Sequence, residues 1–529
     1  MTKYIIVTGG VLSGLGKGVA AASIGHLLSQ DYKVVPIKCD GYLNVDPGTM
    51  NPVEHGEVFV LDDGTEVDMD FGHYERFLGV TCNGRQNLTM GKVFDEIRKL
   101  EREGKFLGQT VQFIPHASNH IKKWWETVAK EEKADVVLVE IGGTIGDIEN
   151  ELYVEAARAL FLDKGPREVL FAHLTYVPIP KGVNEQKSKP TQQSTAMLMQ
   201  RGIKPEIILC RCEEYIEDKI KNKISTFCNV DAQAVISAVD VDSIYKIPVV
   251  FQEQKMLDIL DKKLGLKAKP DLTKWKKLIE NGRKNKLTIG ICGKYTALED
   301  SYASVVEALH HAGNQNDASI EIFWVDTEKI TKENVSEKLK GVDGIIVPGG
   351  FGSRGIEGKI KVISYCRKNN LPYLGLCYGL QLAVVEFARN ICGLKAHTTE
   401  IDKNIAEPVI DILPDKKNLK NLGGTLRLGA YPAIIKEGTK VFELYANNEV
   451  SERHRHRYEV NPKYHKLLEE NGLVFSGLSP DGELVEFIEL KEHPFFVATQ
   501  AHPELKSSLL KPSPLFNGLI KAAIEKKLF

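Results

Sequence analysis

The chain has 529 residues, of which 43% are hydrophobic and 26% charged, and its formal net charge at pH 7 is −2. This length predicts two to four domains, and the near-neutral charge excludes the broad basic excess that marks a nucleic-acid-binding protein. No apolar stretch approaches about 20 residues and the N-terminus carries no signal-peptide pattern, so we expect neither a membrane span nor secretion.

Short apolar runs alternate with helical patterns in the first half of the chain. The runs are typical of buried parallel strands, and the stretches between them of amphipathic helices. This alternation predicts an α/β domain with helices on both faces of the sheet. The runs cover residues 3–10, 34–38, 134–143, 168–177 and 205–212.

A glycine-rich stretch, residues 8–18, follows the first run and precedes an alanine-rich helix pattern. It departs from the usual phosphate loop G-x-x-x-x-G-K-[ST], since Val11 replaces the first glycine and Gly18 replaces the hydroxyl residue that holds magnesium. Backbone amides, the helix N-terminus and Lys17 would still attract phosphate. The stretch predicts a phosphate site whose metal ion is held from elsewhere, with a plain tight turn as the alternative.

Carboxylates follow the predicted strand ends of the same domain, at Asp68, Asp70, Glu140, Asp147 and Glu149. Carboxylate oxygens are the hard ligands that Mg²⁺ prefers beside phosphates. We therefore predict an acidic metal site, with a helix cap or an exposed charge as the equal alternative for Asp68 and Glu149.

The composition changes at residues 262–286, which are lysine-rich, largely polar and without a strand pattern. We interpret this segment as a linker with a connecting helix. A second series of strand and helix patterns follows, ends in the strand pair 484–490 and 495–503, and predicts a second α/β domain. The predicted limits are 1–265 for the first domain, 266–286 for the linker and 287–529 for the second domain.

The second domain carries a cysteine in a Gly375-x-Cys377-x-Gly379 pattern, where a strand run turns directly into a helix pattern. This is the cysteine form of the nucleophile elbow. The helix dipole favours the reactive thiolate at such a helix N-terminus. The alternative for a lone cysteine in a strand is a buried structural residue.

Two further patterns favour catalysis. The glycine-rich strand end at 347–352 offers backbone N–H groups to an oxyanion. His502 and Glu504 lie two residues apart at another strand end, where they form a general base and its orienting carboxylate. The basic run 453–457 has a solvated loop as its alternative interpretation.

The order of these patterns resembles the class I (triad) glutamine amidotransferases, which hydrolyse glutamine and pass ammonia to a partner domain. The resemblance implies that Cys377 is the nucleophile, His502 the general base and Glu504 its orienter, with Gly350 as an oxyanion contact. An arginine suits the carboxylate of glutamine because its fork binds both oxygens. The implied glutamine-binding residues are Gly350, Tyr378, Gly379, Leu380, Gln381, Glu400 (with Thr399 beside it) and Arg457.

Four longer stretches, at 44–77, 140–149, 189–192 and 240–248, resemble the CTP synthase family, and with the second domain the resemblance extends from Lys3 to about Phe516. It implies two doubly wound α/β domains: a P-loop-like, dethiobiotin-synthetase-like synthase domain and a flavodoxin-like class I glutamine amidotransferase domain. The implied reaction is phosphorylation of the 4-oxygen of UTP by ATP, followed by attack of ammonia and loss of phosphate.

The same resemblance assigns the synthase residues. Asp70 and Glu140 are the implied magnesium ligands. The implied ATP-binding residues are Gly14, Leu15, Gly16, Lys17, Gly18, Val19, Lys38 and Asp70. The implied residues for UTP, and for CTP as feedback inhibitor, are Ser13, Asp147, Ile148, Glu149, Lys187, Ser188, Lys189, Pro190, Thr191, Gln192 and Lys223. From charge alone, Lys187 and Lys189 have a solvated lysine loop as their alternative.

Members of this family are typically homotetramers, as dimers of dimers, and many form filaments. GTP activates their glutamine hydrolysis, and ammonia crosses between their domains through an internal passage. We expect the same here, with Mg²⁺ bound together with ATP and without nucleic-acid or membrane partners. Nine cysteines spread through strand-like runs suit a reducing compartment, so we expect a cytoplasmic protein.

The sequence departs from the family pattern at several positions. Gly41 replaces a proline near the UTP region, and residues 178–190 differ before the lysine pair, which bears on CTP inhibition. Ala303 replaces a lysine linked to GTP activation, so we predict weak or altered GTP dependence. Ala501 and Leu505 replace phenylalanines around an intact His502–Glu504 pair.

Two other functions compete with this interpretation. One is an amidotransferase that acts on another acceptor, since related ATP domains serve other amidations; the lysine pair at 187–189 and Lys223 favour a nucleotide. The other is a regulatory or structural paralogue that forms filaments without catalysis. The intact Cys377 and His502 argue against it.

Overall fold

The computed structural model describes residues 1–50, 56–280, 283–293, 299–412 and 426–528. The chain forms two compact units. Unit 1 contains Met1–Thr49 and Asp70–Ile279, and unit 2 contains Met50–Met69 and Glu280–Phe529. Both are α/β, which confirms the predicted fold class. In the described part of the chain, no helix is long and apolar enough to cross a membrane.

The described residues of unit 1 form a seven-stranded, fully parallel sheet in the order β5-β2-β6-β1-β7-β8-β9. The predicted apolar runs all form strands in it. Every strand residue except Lys3, Tyr176 and Arg211 is buried, as expected for a sheet covered on both faces. The strands are β1 (Lys3–Gly9), β2 (Val34–Asp40), β5 (Asn87–Thr89), β6 (Val136–Ile141), β7 (Val169–Tyr176), β8 (Ile207–Cys212) and β9 (Val235–Val239).

Helices connect these strands and bury apolar faces against the sheet. Trp125 and Tyr153, both fully buried, lie in an extended apolar cluster of unit 1. The helices are α1 (Lys17–Leu28), α2 (Asp70–Leu78), α3 (Met90–Arg102), α4 (Ser118–Glu131), α5 (Glu151–Lys164), α6 (Lys189–Gln200), α7 (Asp218–Cys228), α8 (Ile247–Glu253), α9 (Met256–Leu264) and α10 (Thr273–Glu280).

The segment predicted as a linker contains α10, which is the predicted connecting helix. Its residues pack on unit 1: Trp275 is buried, with its ring centroid 3.9 Å from that of His26. The Trp275 indole N–H donates to the Tyr245 carbonyl at 2.7 Å. The sequence-based domain limits remain a prediction, and the compact units divide the chain differently, at residues 49/50, 69/70 and 279/280.

Unit 2 has a nine-stranded mixed sheet among its described residues, in the order β11-β10-β12-β13-β21-β20-β19-β16-β17. The first five strands are parallel and the rest pair antiparallel. The strands are β10 (Asn285–Gly293), β11 (Ala318–Asp326), β12 (Gly344–Val347), β13 (Tyr373–Leu376), β16 (Arg427–Ile435), β17 (Glu449–His456), β19 (Val474–Leu478), β20 (Val485–Glu489) and β21 (Phe496–Thr499).

Apolar clusters lie on the two faces of this sheet, under helices that connect its strands. The helices are α11 (Ala303–Gln315), α12 (Val335–Lys338), α13 (Ile356–Lys368), α14 (Tyr378–Asn390), α15 (Lys440–Tyr445), α16 (His465–Glu470) and α17 (Pro514–Leu528).

Two small sheets complete unit 2. One joins β14 (Ala396–Thr398), β15 (Glu407–Ile412) and β18 (Tyr458–Val460). The other is an antiparallel hairpin of β3 (Phe59–Val60) and β4 (Glu66–Val67), with Phe59 paired to Val67. The hairpin comes from the first quarter of the sequence, between β2 and α2, yet it packs in unit 2.

Candidate functional site

The glycine-rich loop of unit 1 joins the carboxyl end of β1 to α1. Gly16 caps the helix with φ +91°, and Val11 holds φ +81°. A β-branched residue rarely adopts such a conformation, and strain of this kind marks functional loops. Val11, Leu12, Ser13 and Gly14 are exposed. The loop therefore presents backbone groups to solvent at a helix N-terminus, as a phosphate site requires.

Gly18 lies directly against a carboxylate. A Cβ at this position would be 2.1 Å from Oδ1 of Asp70. The volume that a serine or threonine side chain fills in the usual phosphate loop is thus occupied by Asp70. This explains the departure at position 18 and places the predicted metal ligand beside the loop.

The ammonium group of Lys38 lies among three carboxylates of unit 1. Its ammonium donates to a carboxylate oxygen of Asp70 and, at 2.9 Å, to Oε1 of Glu140, and it lies 3.8 Å from Oδ1 of Asp40. The parallel register of β2 and β6 pairs Lys38 with Glu140. Neighbouring strand ends thus bring together residues that lie about a hundred positions apart in sequence.

Burial and the neighbouring charges shift the pKa values of Asp70 and Glu140. Burial disfavours the ionised form of Asp70, but Lys38 and His73 outweigh it and lower its pKa to about 2. Burial raises the pKa of Glu140, and Lys38 only partly offsets this. Tyr74 donates a further hydrogen bond to Glu140. Asp70 is therefore the firmly ionised member of the pair.

Lys17 lies at the start of α1 and donates to the carbonyl of Gly143 at 2.6 Å. Burial lowers its pKa, while the Glu140 charge acts in the opposite direction. Lys17 and Lys38 therefore both lie near Asp70 and Glu140. An anionic ligand at the loop would meet both.

The carboxylates of Asp70 and Glu140 suit an Mg²⁺ ion that is bound together with a nucleotide. Among the described residues, no cluster of three or more His, Cys, Asp or Glu side chains could form a complete metal cage. Mg²⁺ usually takes only one or two carboxylates and fills its remaining positions with phosphate oxygens and waters. Asp70 and Glu140 converge on one ammonium group, so their oxygens lie within reach of a single ion.

The residues predicted to bind the pyrimidine nucleotide lie in four places in unit 1, of which the first is Ser13 in the exposed glycine-rich loop. Asp147 accepts from the backbone N–H of Thr144 at 2.9 Å, beside the exposed Ile148 and Glu149. Lys189 begins α6, and Lys223 is exposed on α7.

The other predicted residues at the start of α6 are bonded within the protein. The hydroxyl of Thr191 is buried and donates to the Tyr176 carbonyl at 3.0 Å. Gln192 donates to the Ser188 hydroxyl at 3.0 Å, Lys187 pairs with Glu185 at 2.7 Å, and Pro190 follows Lys189 in the first turn. Their roles toward a ligand remain predictions.

Sequence reasoning missed a buried histidine that links the loop to α6. His173 contacts the Thr8 hydroxyl through Nδ1 at 2.8 Å and the Ser194 hydroxyl through Nε2 at 2.7 Å. Burial lowers its pKa to about 3, so it is neutral. A Cβ at Gly10 would lie 1.5 Å from the Ser194 hydroxyl. Nothing in the local sequence marks this histidine, which occupies an ordinary strand position.

In unit 2, Cys377 sits at the turn from β13 into α14 with φ +50° and ψ −98°. This is the strained backbone of a nucleophile elbow. The flanking glycines are required by close contacts: a Cβ at Gly379 would lie 2.2 Å from the Val347 carbonyl oxygen. The turn presents the thiol at the N-terminus of a buried helix, where the dipole stabilises a thiolate.

His502 and Glu504 form the predicted pair. Nδ1 of His502 lies 2.7 Å from Oε1 of Glu504. Burial opposes protonation of His502, but Glu504 and then Cys377 outweigh it and raise the pKa of the imidazole well above its usual range. A Cβ at Gly349 would lie 2.7 Å from Cε1 of His502 and 3.6 Å from Cβ of Cys377. The histidine and the cysteine therefore meet beside the glycine-rich strand end.

The predicted glutamine-binding residues surround the same turn. The backbone N–H of Gly352 donates to Oε1 of Glu400 at 2.7 Å, and the Tyr378 hydroxyl donates to the Gly352 carbonyl at 3.2 Å. Burial raises the pKa of Tyr378, with further contributions from Glu400 and Cys377.

Three more predicted residues lie close by. Gln381 donates to the Tyr458 carbonyl at 2.9 Å, next to Arg457. Gly350 adjoins the ammonium of Lys359, and Leu380 is buried in α14.

Two further contacts to Cys377 were not predicted. The buried amide of Gln500 donates to Sγ at 3.7 Å, and Sγ lies 3.9 Å from the carbonyl oxygen of Arg455. Gln500 precedes His502 by two residues, so its place in the strand end was the available signal. The carbonyl of Arg455 carries no sequence signal, because every residue has one.

The structure accommodates two of the departures noted in the sequence. Ala501 and Leu505 are both buried beside the His502–Glu504 pair, which is intact. Ala303 begins α11, and the next residue, Ser304, donates from its backbone N–H to Glu57 at 3.0 Å.

Comparison with known proteins gives two family matches. Residues 3–266 match the model described as CTP synthase N-terminus, and residues 297–522 match the model described as glutamine amidotransferase class-I. The chain is 49% identical over 537 residues to the CTP synthase of Methanocaldococcus jannaschii and 50% identical over 530 residues to that of Bacillus subtilis. Each alignment covers 99% of this chain and 99% of the relative.

Among solved structures, the glutaminase domain of Trypanosoma brucei CTPS with bound acivicin is 34% identical to the matched part. The match covers 45% of this chain and 94% of that chain, with a TM-score of 0.43.

Proposed function

Because the chain belongs to the CTP synthase family, we propose that its two units divide one ligase reaction between them. The enzyme is a glutamine-dependent ligase of pyrimidine nucleotide synthesis, with UTP, ATP and glutamine as substrates. The overall reaction consumes these and water and yields CTP, ADP, phosphate and glutamate. In our proposal unit 2 releases ammonia and unit 1 activates and aminates UTP.

In unit 2, the Cys377 thiolate attacks the side-chain amide carbon of glutamine. The protonated His502 donates a proton to the leaving ammonia, and neutral His502 then takes a proton from the water that hydrolyses the thioester. Glu504 holds the imidazole orientation through Nδ1 and stabilises its charge. We propose that backbone N–H groups at 349–350 bind the oxyanion.

The remaining residues of this site orient glutamine. Arg457 matches the carboxylate by its fork, and Glu400 matches the amino group by its charge. Tyr378, Gly379, Leu380 and Gln381 form the first turn of α14, which shapes the pocket.

In unit 1, the loop amides and Lys17 hold the phosphates of ATP, and Lys38 neutralises charge on the transferred phosphoryl group. The 4-oxygen of UTP takes the γ-phosphoryl group, ADP leaves, and ammonia attacks C4 as phosphate departs with the oxygen. When bound, Mg²⁺ supplies further charge neutralisation, and Asp70 and Glu140 would hold it. Ionised Asp70 suits this role because its pKa is low.

The groups at Ser13, 147–149, Lys187, Lys189 and Lys223 are proposed to bind UTP, and CTP as an inhibitor. Their charges suit a triphosphate, and His173 couples the α6 part of this region to the phosphate loop. The sheet topology supports this placement, since ligands of open α/β sheets bind at the carboxyl ends of the strands.

Regulation and assembly are proposed from family membership. We propose a homotetramer that binds GTP as an activator of glutamine hydrolysis, with reduced GTP dependence because Ala303 lacks a cation. Filament formation is a further expectation. The nine cysteines, all described, are unbridged, which suits a reducing compartment such as the cytoplasm.

The arrangement of Cys377, His502 and Glu504 at one elbow carries this proposal, and a Cys377→Ala variant tests it. The variant should lose glutamine-dependent CTP formation and keep CTP formation from added ammonia, both followed by absorbance. Cys392→Ala is the matched control, because Cys392 lies at the end of α14 and is only partly buried. Loss of both activities in Cys377→Ala alone would contradict the division of labour. Ammonia incorporation into an acceptor other than UTP would favour the alternative amidotransferase.

A further inference from the structure

The β3–β4 hairpin, residues 59–67, belongs to unit 2 although the flanking sequence builds unit 1. Its turn lies against β16: the backbone N–H of Ala430 donates to the Asp62 carbonyl at 2.9 Å. A Cβ at Gly429 would lie 2.7 Å from that carbonyl and 2.7 Å from the backbone nitrogen of Gly64. The two backbones are in direct contact, so the hairpin is a tightly fitted part of unit 2.

Two carboxylates of the hairpin each hold an arginine of β17. Oδ1 of Asp62 lies 2.5 Å from Nε of Arg453, and Oε1 of Glu66 lies 2.7 Å from Nε of Arg455. Arg453 is almost fully buried, and its guanidinium also lies 5.3 Å from the ring centroid of Phe59. The hairpin thus supplies the buried guanidinium of Arg453 with a carboxylate from Asp62 and an aromatic ring from Phe59.

The backbone carbonyls of the same two arginines contact His502 and Cys377. The carbonyl of Arg453 accepts from the backbone N–H of His502 at 2.7 Å. The carbonyl of Arg455 lies 3.9 Å from Sγ of Cys377. Arg453 therefore links Asp62 to His502, and Arg455 links Glu66 to Cys377. Residues two positions apart in a strand have their side chains on the same face, so both arginine side chains of β17 face the hairpin.

β17 is the last strand of the nine-stranded sheet and pairs only with β16 among the described strands. An edge strand lacks the second ladder of hydrogen bonds that fixes a central strand. Side-chain contacts from the hairpin therefore help to hold the carbonyls of residues 453 and 455 in place, in addition to the ladder with β16. Small displacements matter here, because reacting groups misplaced by about 1 Å lose roughly 100-fold in rate.

We propose that Asp62 and Glu66 are positioning residues of the glutaminase triad, which act on His502 through Arg453 and on Cys377 through Arg455. This proposal rests on the proposed roles of Cys377 and His502. It deepens them by making a segment from the synthase half of the sequence part of the glutamine-hydrolysing machinery. The segment does not touch the substrate in this role.

The test compares Asp62→Asn and Glu66→Gln, alone and combined, with Asp63→Asn in the full-length enzyme. Asp63→Asn removes the same charge from the same turn, and an asparagine can keep the bond that Asp63 accepts from the N–H of Thr65. Glutamine hydrolysis, CTP formation from ammonia and the rate of Cys377 alkylation by iodoacetamide are measured for each variant.

We expect kcat for glutamine hydrolysis to fall about tenfold in Asp62→Asn and further in the double variant, with smaller changes in KM. Cys377 alkylation should also slow, since a displaced His502 no longer assists the thiol as a nucleophile. CTP formation from ammonia and all activities of Asp63→Asn should change by less than about twofold. Asp62→Glu, which keeps the charge, should retain most of the activity.

The proposal fails if Asp62→Asn and Asp63→Asn have the same kcat and the same alkylation rate. Should Asp62→Asn not fold, Glu66→Gln carries the same comparison, because Glu66 pairs with the less buried Arg455. Failure of the underlying triad would show differently, as retained glutamine hydrolysis in Cys377→Ala.

Discussion

Gly18 and Asp70 compete for the same space, since a Cβ on Gly18 would lie 2.1 Å from Oδ1 of Asp70. The glycine-rich loop therefore ends in glycine because a carboxylate from another helix fills the place of the hydroxyl found in the usual phosphate loop.

Gly18→Ser should displace Asp70 and strongly reduce CTP formation from added ammonia, by roughly 100-fold if the carboxylate moves by about 1 Å. Glutamine hydrolysis by unit 2 should persist, because Cys377 and His502 belong to another unit. Parallel assays of the two activities check this. Near-normal ammonia-dependent synthesis would show that Asp70 has no fixed role beside the loop.

Lys38→Met should destabilise unit 1. It leaves the buried Glu140 and the partly exposed Asp70 without their shared cation, and removing one partner of a buried ion pair typically costs about 3–5 kcal/mol. Urea unfolding at pH 7 measures the loss. The matched control is Lys33→Met, since Lys33 pairs with Glu132 at 3.5 Å on the surface and should change stability by less than about 1 kcal/mol.

The pH dependence of the Lys38 effect has a defined sign. The folded pKa of Asp70 is lowered to about 2, so its contribution to stability is present above the unfolded value and is lost as the pH falls toward 2. The stability difference between the parent enzyme and Lys38→Met should therefore shrink below about pH 4. A difference that grows with acidity would contradict the assignment.

Glu504→Gln should lower the pKa of His502, because Glu504 is the largest of the charges that favour the imidazolium. The imidazolium donates the proton to leaving ammonia, so the alkaline fall of kcat for glutamine hydrolysis should move to lower pH. The kcat itself should fall roughly 100-fold. An unchanged alkaline limb would mean that another group sets it.

The sign for stability follows from the same shift. A raised pKa means that His502 contributes fully below its unfolded value of about 6.5 and that this contribution is lost as the pH rises through the folded value. Glu504→Gln should remove most of that dependence in thermal unfolding between neutral and alkaline pH.

Ala303→Lys should increase the stimulation of glutamine hydrolysis by GTP, if the missing cation explains the predicted weak dependence. The new side chain starts α11 beside Ser304, which is held by Glu57. Stimulation factors at saturating GTP are compared for both proteins, with Ala303→Met as a control for side-chain size. Full stimulation of the unmodified enzyme at ordinary GTP concentrations would refute the prediction.

The sequence allowed both α/β units to be predicted, because buried parallel strands and intervening helices leave separate periodic patterns. It also located Cys377, since a glycine-flanked elbow has a local signature. The contact between Lys38 and Glu140 could not be predicted from a local pattern. It depends on the register of β2 against β6, which no local pattern encodes.

The sequence did not predict that the β3–β4 hairpin packs in unit 2. Its residues lie between β2 and α2, so every local signal assigns them to the first unit. Their place in unit 2 depends on partners such as Arg453, almost four hundred positions away. Position in the chain is a poor guide where a segment leaves one unit and returns to it.

The hairpin also bears on how this enzyme can be divided. A truncated chain that starts at residue 280 keeps the sheet and elbow of unit 2 but omits Asp62, Glu66 and Phe59, leaving a buried guanidinium without its carboxylate. We therefore expect unit 2 to lose stability when it is cut at residue 280 and attached to another acceptor enzyme. A functional transplant would have to carry residues 56–69 as a second, separately grafted piece.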